Sequence, residues 1–189
     1  MPRGWPDGPI PAKCLSLAAE VAGDFAEFGI YRSHSFQFVV RAAMEAGRTA
    51  HGFDSFVGMD EPGEHDKPIH GRHYPKGKFS SGTSKASRRL RQQELSNWVF
   101  HEGFIPDCFE PDLKFAFAYV DVDHYLPTVL AAAYADERLP VGGVLGFDDY
   151  IPGGTTLATR AIGEFRRDHG HRFEVLIERP KQVWFIKKT

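Results

Sequence analysis

Two apolar runs in this chain each break into acids. Phe115–Val120 is followed by Asp121-Val122-Asp123-His124, and Val141–Phe147 by Asp148-Asp149-Tyr150. Carboxylates brought close together cannot all stay ionised, so either some bind protons or a cation joins them. Oxygen donors from Asp121, Asp148 and Asp149, supplied by two loops, suit Mg²⁺ or Mn²⁺, with water and substrate completing the octahedron. The alternative is local: Asp123 caps the helix that follows it, and Asp148-Asp149 shape a turn.

The elements around these acids decide whether they can meet. Between the two runs lies Pro127–Leu139, rich in Ala and Leu and helical in character. Continuous apolar runs suit strands buried on both faces, and strand-helix-strand is the order of a parallel crossover. Parallel neighbours end at the same sheet edge, about 4.8 Å apart. Asp121, Asp148 and Asp149 are therefore expected in one crevice beyond the carboxyl ends of the strands, where open α/β sheets bind ligands.

The same alternation runs along the whole chain. Residues 1–11 read as a loose arm, and Ala12–Val21 as a helix stopping at Gly23. Phe25–Ile30 is a strand, and Ser33 or Ser35 can start a helix that ends at Gly47. Thr49–Phe56 is a second strand with Asp54 near its end, and Trp98–Glu102 a third. Ser84–Leu95 is a basic helix. Thr155–His169 is a helix closed by Gly170. Phe173–Glu178 and Gln182–Lys187, separated by Pro180-Lys181, can only form an antiparallel hairpin. The expected fold is α/β: a doubly wound, mostly parallel seven-stranded sheet with an antiparallel C-terminal hairpin, in a single domain over residues 1–189. Met59–Ser84 has three prolines, many polar residues and little periodicity, as a lid loop or a surface insertion would.

Bulk properties narrow the function classes. A chain of 189 residues with 42% hydrophobic and 25% charged residues suits a globular domain with a sizeable core. A formal net charge of −2 gives no support for a nucleic-acid partner. No apolar run approaches a bilayer span, and the Pro- and Gly-rich start lacks a signal core, so no membrane partner and a cytoplasmic location are expected. Cys14 and Cys108 lack metal-ligand spacing and read as structural thiols.

A dinucleotide fingerprint is absent after the first strand. Instead Glu27-Phe28-Gly29 stands there, with Asp54 after the second strand, an arrangement that resembles class I S-adenosylmethionine (SAM)-dependent methyltransferases. The resemblance becomes specific with the ordered series GDFAEFGIYRSHS, HGFDSFVGMDEP, FSSGTSKAS, HEGFIPDCF, VDVDHY, GGVLGFDDY, IPGG and VWFIKK. This series is similar to the macrocin O-methyltransferase family, metal-dependent enzymes that methylate sugar hydroxyls of antibiotics, over about Gly23 to Lys188. The first motif also resembles catechol O-methyltransferase in Glu27, Gly29, Tyr31 and Ser35.

The resemblance implies SAM as cofactor. Glu27, Gly29, Tyr31 and Ser35 would serve its amino-acid end, Asp54 and Ser55 its ribose, and Gly103 and Phe104 its adenine, with Asp121 bordering the same site. It also implies Mg²⁺ (or Mn²⁺) on Asp121, Asp148 and Asp149. Macrocin-type enzymes carry an apolar residue where this chain has His124; catechol-type relatives hold a basic residue there that removes the substrate proton. Imidazole suits that task, with an ordinary pKa near 6.5. His124 and Asp121 are both candidate bases, and capping remains the other reading of His124. The expected partner is a small hydroxylated acceptor, and a homodimer is compatible with the chain. A metal-dependent hydrolase and a catalytically silent binding protein on the same scaffold are the rival functions.

Overall fold

The computed structural model describes residues 8–66, 75–153 and 157–189. Its strands are β1 (Asp24–Phe28), β2 (Ala50–Asp54), β3 (Trp98–Glu102), β4 (Phe115–Val120), β5 (Val144–Tyr150), β6 (Phe173–Arg179) and β7 (Lys181–Lys187). All seven form one sheet in the order β3-β2-β1-β4-β5-β7-β6. β1 to β5 are mutually parallel, and β7 runs antiparallel to both β5 and β6. The doubly wound sheet and its antiparallel hairpin are therefore as the sequence predicts. The position of β7 between β5 and β6 is new. Val183, Trp184 and Phe185 are buried, whereas Val175 of β6 is 41% exposed, so the more apolar strand takes the inner place.

Among the described residues five helices cover the two faces: α1 (Ala12–Ala19), α2 (Phe36–Glu45), α3 (Thr83–Gln92), α4 (Tyr125–Arg138) and α5 (Leu157–His169). In α2 the buried Phe36, Val39, Val40 and Ala43 recur at helical spacing and form one stripe. They join Leu15, Leu90, Phe25, Phe117, Tyr119 and Trp184 in the core on one side of the sheet. On the other side Ala131, Ala135, Ile162 and Phe165 of α4 and α5 pack on Phe28, Phe53, Phe115 and Phe147. Every residue of β4 is buried, as expected for a central strand covered on both faces. Among the described residues no helix is long and apolar enough to cross a membrane.

Several boundaries move, each for a local reason. The strand expected from Val141 starts at Val144, because Val141 is exposed and Gly142 turns at φ 86°. It continues to Tyr150, which places Asp148 and Asp149 within the strand rather than in a separate loop. α4 begins at Tyr125, before Pro127, because the first turn of a helix has no use for the missing N–H. Ser35 takes the N-cap position of α2, but its side chain makes no cap bond. The arm is not loose over 8–11: Ile10 is buried, and Arg179 donates to the carbonyls of Gly8 and Pro9. Within the expected lid, Glu64–Asp66 form a 3-10 turn and α3 starts at Thr83. Residues 1–7 of the arm, 67–74 of the lid and 154–156 at the expected start of α5 lie outside the described residues.

The sheet reverses its winding between β1 and β4, and glycine makes that junction possible. Gly29 has φ 87°, and a Cβ on it would stand 1.9 Å from the Asp121 carbonyl oxygen. The expectation for an E-x-G motif is close approach to a cofactor; here the nearest surface is the backbone just beyond β4. A second forced glycine lies deeper. A Cβ on Gly146 would come within 2.1 Å of the Trp184 ring, which stacks on Tyr119 at 5.0 Å and 10°. Gly146→Ala should therefore overpack this layer and destabilise the protein by about 1–3 kcal/mol in urea unfolding. An unchanged midpoint would mean that Trp184 moves aside at no cost.

Candidate active site

The carboxyl ends of β1, β2, β4 and β5 open on one cavity of about 420 Å³. Such a volume is in the range of small-ligand sites. Of the residues singled out by sequence, Gly29, Tyr31, Asp54, Ser55, Gly103, Phe104, Asp121, His124, Asp148 and Asp149 line it. Glu27 and Ser35 do not. Instead the Ser35 hydroxyl donates to Glu27 Oε1, and Glu27 is fully buried with Oε2 lacking a partner among the described residues.

The half of the cavity at β1 and β2 is built around Asp54. Its Oδ2 accepts the Tyr31 N–H at 2.8 Å, and its Oδ1 accepts the Phe56 N–H at 2.7 Å. Burial raises the Asp54 carboxyl above its ordinary range, and these backbone bonds pull it partly back. The carboxylate is thus fixed in orientation while further lone pairs face the cavity. Burial pushes Glu27 up to about 8; the Ser35 bond opposes this, and the charges of Asp148 and Asp54 add to it.

The other half is acidic. Asp121 lies half-buried directly after β4, and desolvation followed by the charges of Asp148, Asp123, Glu27 and Asp149 raises it well above the ordinary range. Asp148 is also raised, by burial and then by Asp149, while bonds from Gln182, the Asp149 N–H and Tyr119 work against the shift. Asp123 goes up to about 7, through burial, the Asp149 charge and a hydrogen bond shared with Asp149. Asp123 and Asp149 both sit at positive φ, 60° and 55°. Such angles are uncommon for non-glycine residues, and Asp is among those that adopt them most readily.

His124 is the residue before α4, buried at 4% exposure, with extended backbone angles and no side-chain cap bond. Its carbonyl instead accepts from the Thr128 hydroxyl and N–H. Its Nε2 is buried and has no hydrogen-bond partner among the described residues. The capping readings of Asp123 and His124 are thus not how these side chains are used. Asp121, Asp148 and Asp149 share the cavity, yet among the described residues no three His, Cys, Asp or Glu side chains surround a common point as ready metal ligands. Asp148 is turned toward Tyr119 and Gln182, and Asp149 toward Asp123.

The loop after β2 walls one side of the cavity with Met59, Asp60, Glu61, Gly63 and Asp66. Its arms are tied at the base: Met59 N–H donates to the Lys78 carbonyl, Gly77 N–H to Met59, and Ser81 and Gly82 to Phe56. Sequence reasoning missed Asp66 here, and it missed the layer behind Asp148. There Gln182 Nε2 donates to the Tyr119 hydroxyl at 2.8 Å, and Arg179 holds Gln182 Oε1. A buried Gln in an apolar strand was the available signal, but its partner depends on where β7 inserts.

The raised acids make the free protein sensitive to pH. Glu27 ionises near 4.5 in the unfolded chain and near 8 when folded, so between these values the folded state holds a proton the unfolded chain has lost. Its contribution to stability is complete below the lower value and disappears as the pH rises through the upper one. Glu27→Gln removes this titration, so the variant should lose less stability than the wild type across that interval, by a few kcal/mol in order of magnitude. Parallel profiles in denaturant melts at several pH values would show that Glu27 is not protonated in the folded protein.

The family model of the macrocin-O-methyltransferases (TylF) matches residues 14–184. None of the curated proteins is similar enough in sequence to count as a relative. Among solved structures, the O-methyltransferase NovP is similar with a TM-score of 0.77 and 21% identity, over 94% of this chain and 77% of that one. The calicheamicin methyltransferase CalS11 gives 0.75 and 20%, over 92% of this chain and 76% of that one. TomG of Streptomyces achromogenes, an O-methyltransferase involved in tomaymycin synthesis and solved with SAM, gives 0.62 and 13%, over 95% and 81%. At these identities the structural likeness carries the fold, and the family match carries the chemistry. With its strand ends, Gly29 junction and acid-lined cavity in the places described, the chain belongs to the macrocin-O-methyltransferase family and is a SAM-dependent O-methyltransferase.

Proposed function

We propose that this enzyme transfers a methyl group to a hydroxyl of a small molecule, a sugar or other polyhydroxylated natural product, with help from Mg²⁺ or Mn²⁺. The observation that supports this reading is the cluster of half-buried carboxyl groups of Asp121, Asp123, Asp148 and Asp149 beside a buried His124 Nε2 that has no partner among the described residues, in the cavity that also holds Asp54. The acceptor class follows the names of the similar proteins, macrocin O-methyltransferase and the TDP-rhamnose 3'-O-methyltransferase CalS11.

In this reading Asp54 accepts hydrogen bonds from the ribose of SAM, Gly103 and Phe104 flank the adenine, and Tyr31 lies toward the amino-acid end, with the bonded pair Glu27 and Ser35 outside the cavity lining. Bound SAM supplies an electrophilic methyl group. Asp121, Asp148 and Asp149 would hold the divalent ion, whose charge makes a nearby hydroxyl more acidic. Asp148 and Asp149 would have to release their present bonds to Tyr119, Gln182 and Asp123 to do so. His124 takes the acceptor proton on Nε2, which has no competing partner among the described residues; Asp121 is the rival base but is surrounded by like charge. The loop over Met59–Ser84 acts as a lid that keeps water from the transferring methyl.

Two experiments test this. Asp54→Ala should weaken SAM binding by about 1.5–3 kcal/mol in calorimetry, and in the wild type SAM should slow amide exchange in residues 59–66. An unaltered dissociation constant in folded Asp54→Ala would remove Asp54 from the site. In the second, Asp149→Asn should abolish turnover that depends on added Mg²⁺ while SAM still binds. His124→Ala should keep both ligands and lose turnover by ~10²–10⁴. Turnover that is insensitive to chelator in the wild type would rule out the metal. Near-normal turnover in His124→Ala would shift the base to Asp121.

A further inference from the structure

Asp66 is a buried carboxylate, 5% exposed, that the chemistry above does not use. It comes from the loop after β2, yet its Oδ1 accepts the Tyr125 N–H, the first of α4, at 2.7 Å across 59 residues of sequence. Its Oδ2 accepts the Gly63 N–H at 2.9 Å, and its own N–H returns to the Gly63 carbonyl at 3.0 Å. One carboxylate thus closes the 3-10 turn of the loop and satisfies a helix N–H that has no partner within the helix. The residue in the N-cap position, His124, offers no side-chain bond of its own.

The contact is reinforced around its rim. The His65 ring lies 4.6 Å from the Tyr125 ring, and Arg160 reaches His65 Nδ1 at 3.2 Å. The Tyr125 hydroxyl donates to Glu164 of α5. His124 is therefore set between Asp123, at positive φ in the segment after β4, and a helix turn whose first N–H belongs to the loop. A negative group at this end of the helix is also favoured by the helix dipole.

We infer that Asp66 is a positioning residue for the methyl transfer: its carboxylate fixes the first turn of α4, and with it His124, to the loop that walls the acceptor side. This rests on the reading of His124 as the base. Placement of the loop and placement of the imidazole are then one event, since neither can shift while both Asp66 oxygens are bonded.

The test compares Asp66→Ala and Asp66→Asn by NMR and needs no acceptor. In Asp66→Ala the Gly63 and Tyr125 amides should exchange about tenfold faster, and the His124 ring resonance, identified by its loss in His124→Ala, should move. Amides of β1 and β4 should keep their protection, and the SAM dissociation constant should stay within about twofold. Asp66→Asn keeps one acceptor oxygen, so it should protect one of the two amides and restore much of the His124 signal; it also decides the matter if the alanine variant does not fold. An unmoved His124 resonance, or exchange that rises equally in β1 and β4, would reduce Asp66 to a structural cap and overturn the inference. Turnover of His124→Ala judges the base separately, so the two readings can fail independently.

Discussion

The site depends on one steric contact, the approach of Gly29 to the backbone of Asp121. No side chain fits between the ends of β1 and β4, where even a methyl would meet a carbonyl oxygen at 1.9 Å. This junction is the point where the sheet changes its direction of winding, and it places Asp121 beside the loop that carries Tyr31. Without it the two halves of the cavity would not share a wall. The Asp121 N–H bonded to the Phe28 carbonyl at 2.8 Å keeps the strands in register up to that point.

Charge follows from that geometry. Once strand ends are packed this closely, the acids they carry lose water together, and desolvation is the first cause of the upward shifts at Asp121, Asp123, Asp148, Asp54 and Glu27. The protein meets the cost by sharing hydrogen bonds, Asp123 with Asp149 and Asp148 with Tyr119 and Gln182, and by holding protons that a cation could replace. Tyr119 in turn is kept in place by the flat Trp184 ring, for which Gly146 leaves room. Packing behind the cavity thereby controls where a carboxylate points.

The loop after β2 adds a constraint from outside the sheet. Its base is stapled through Met59, Gly77 and Phe56, and its 3-10 turn is joined to α4 through Asp66. That side of the cavity is consequently built from pieces far apart in the chain, whereas the opposite side comes mostly from the ends of β1 and β2. A common scaffold with a separately assembled acceptor wall is how one fold can serve many substrates.

Much of this was legible in the amino-acid sequence. Apolar runs ending in Asp54, Asp121 and Asp148-Asp149, separated by helical segments, dictate a parallel sheet with its acids on one edge, because strand direction and burial both follow from local pattern. The ordered motifs carried the family. Tertiary structure alone decided the rest. β7 lies inside the sheet because Val183, Trp184 and Phe185 are more apolar than β6, a competition between two strands that neither one encodes separately. Glu27 bonds to Ser35 and stays out of the cavity, Asp123 pairs with Asp149 and caps nothing, and Asp66 reaches Tyr125 from another part of the chain. Each of these is a contact between residues distant in sequence, and the periodicity of a segment reports which face is buried but not which partner it is buried against.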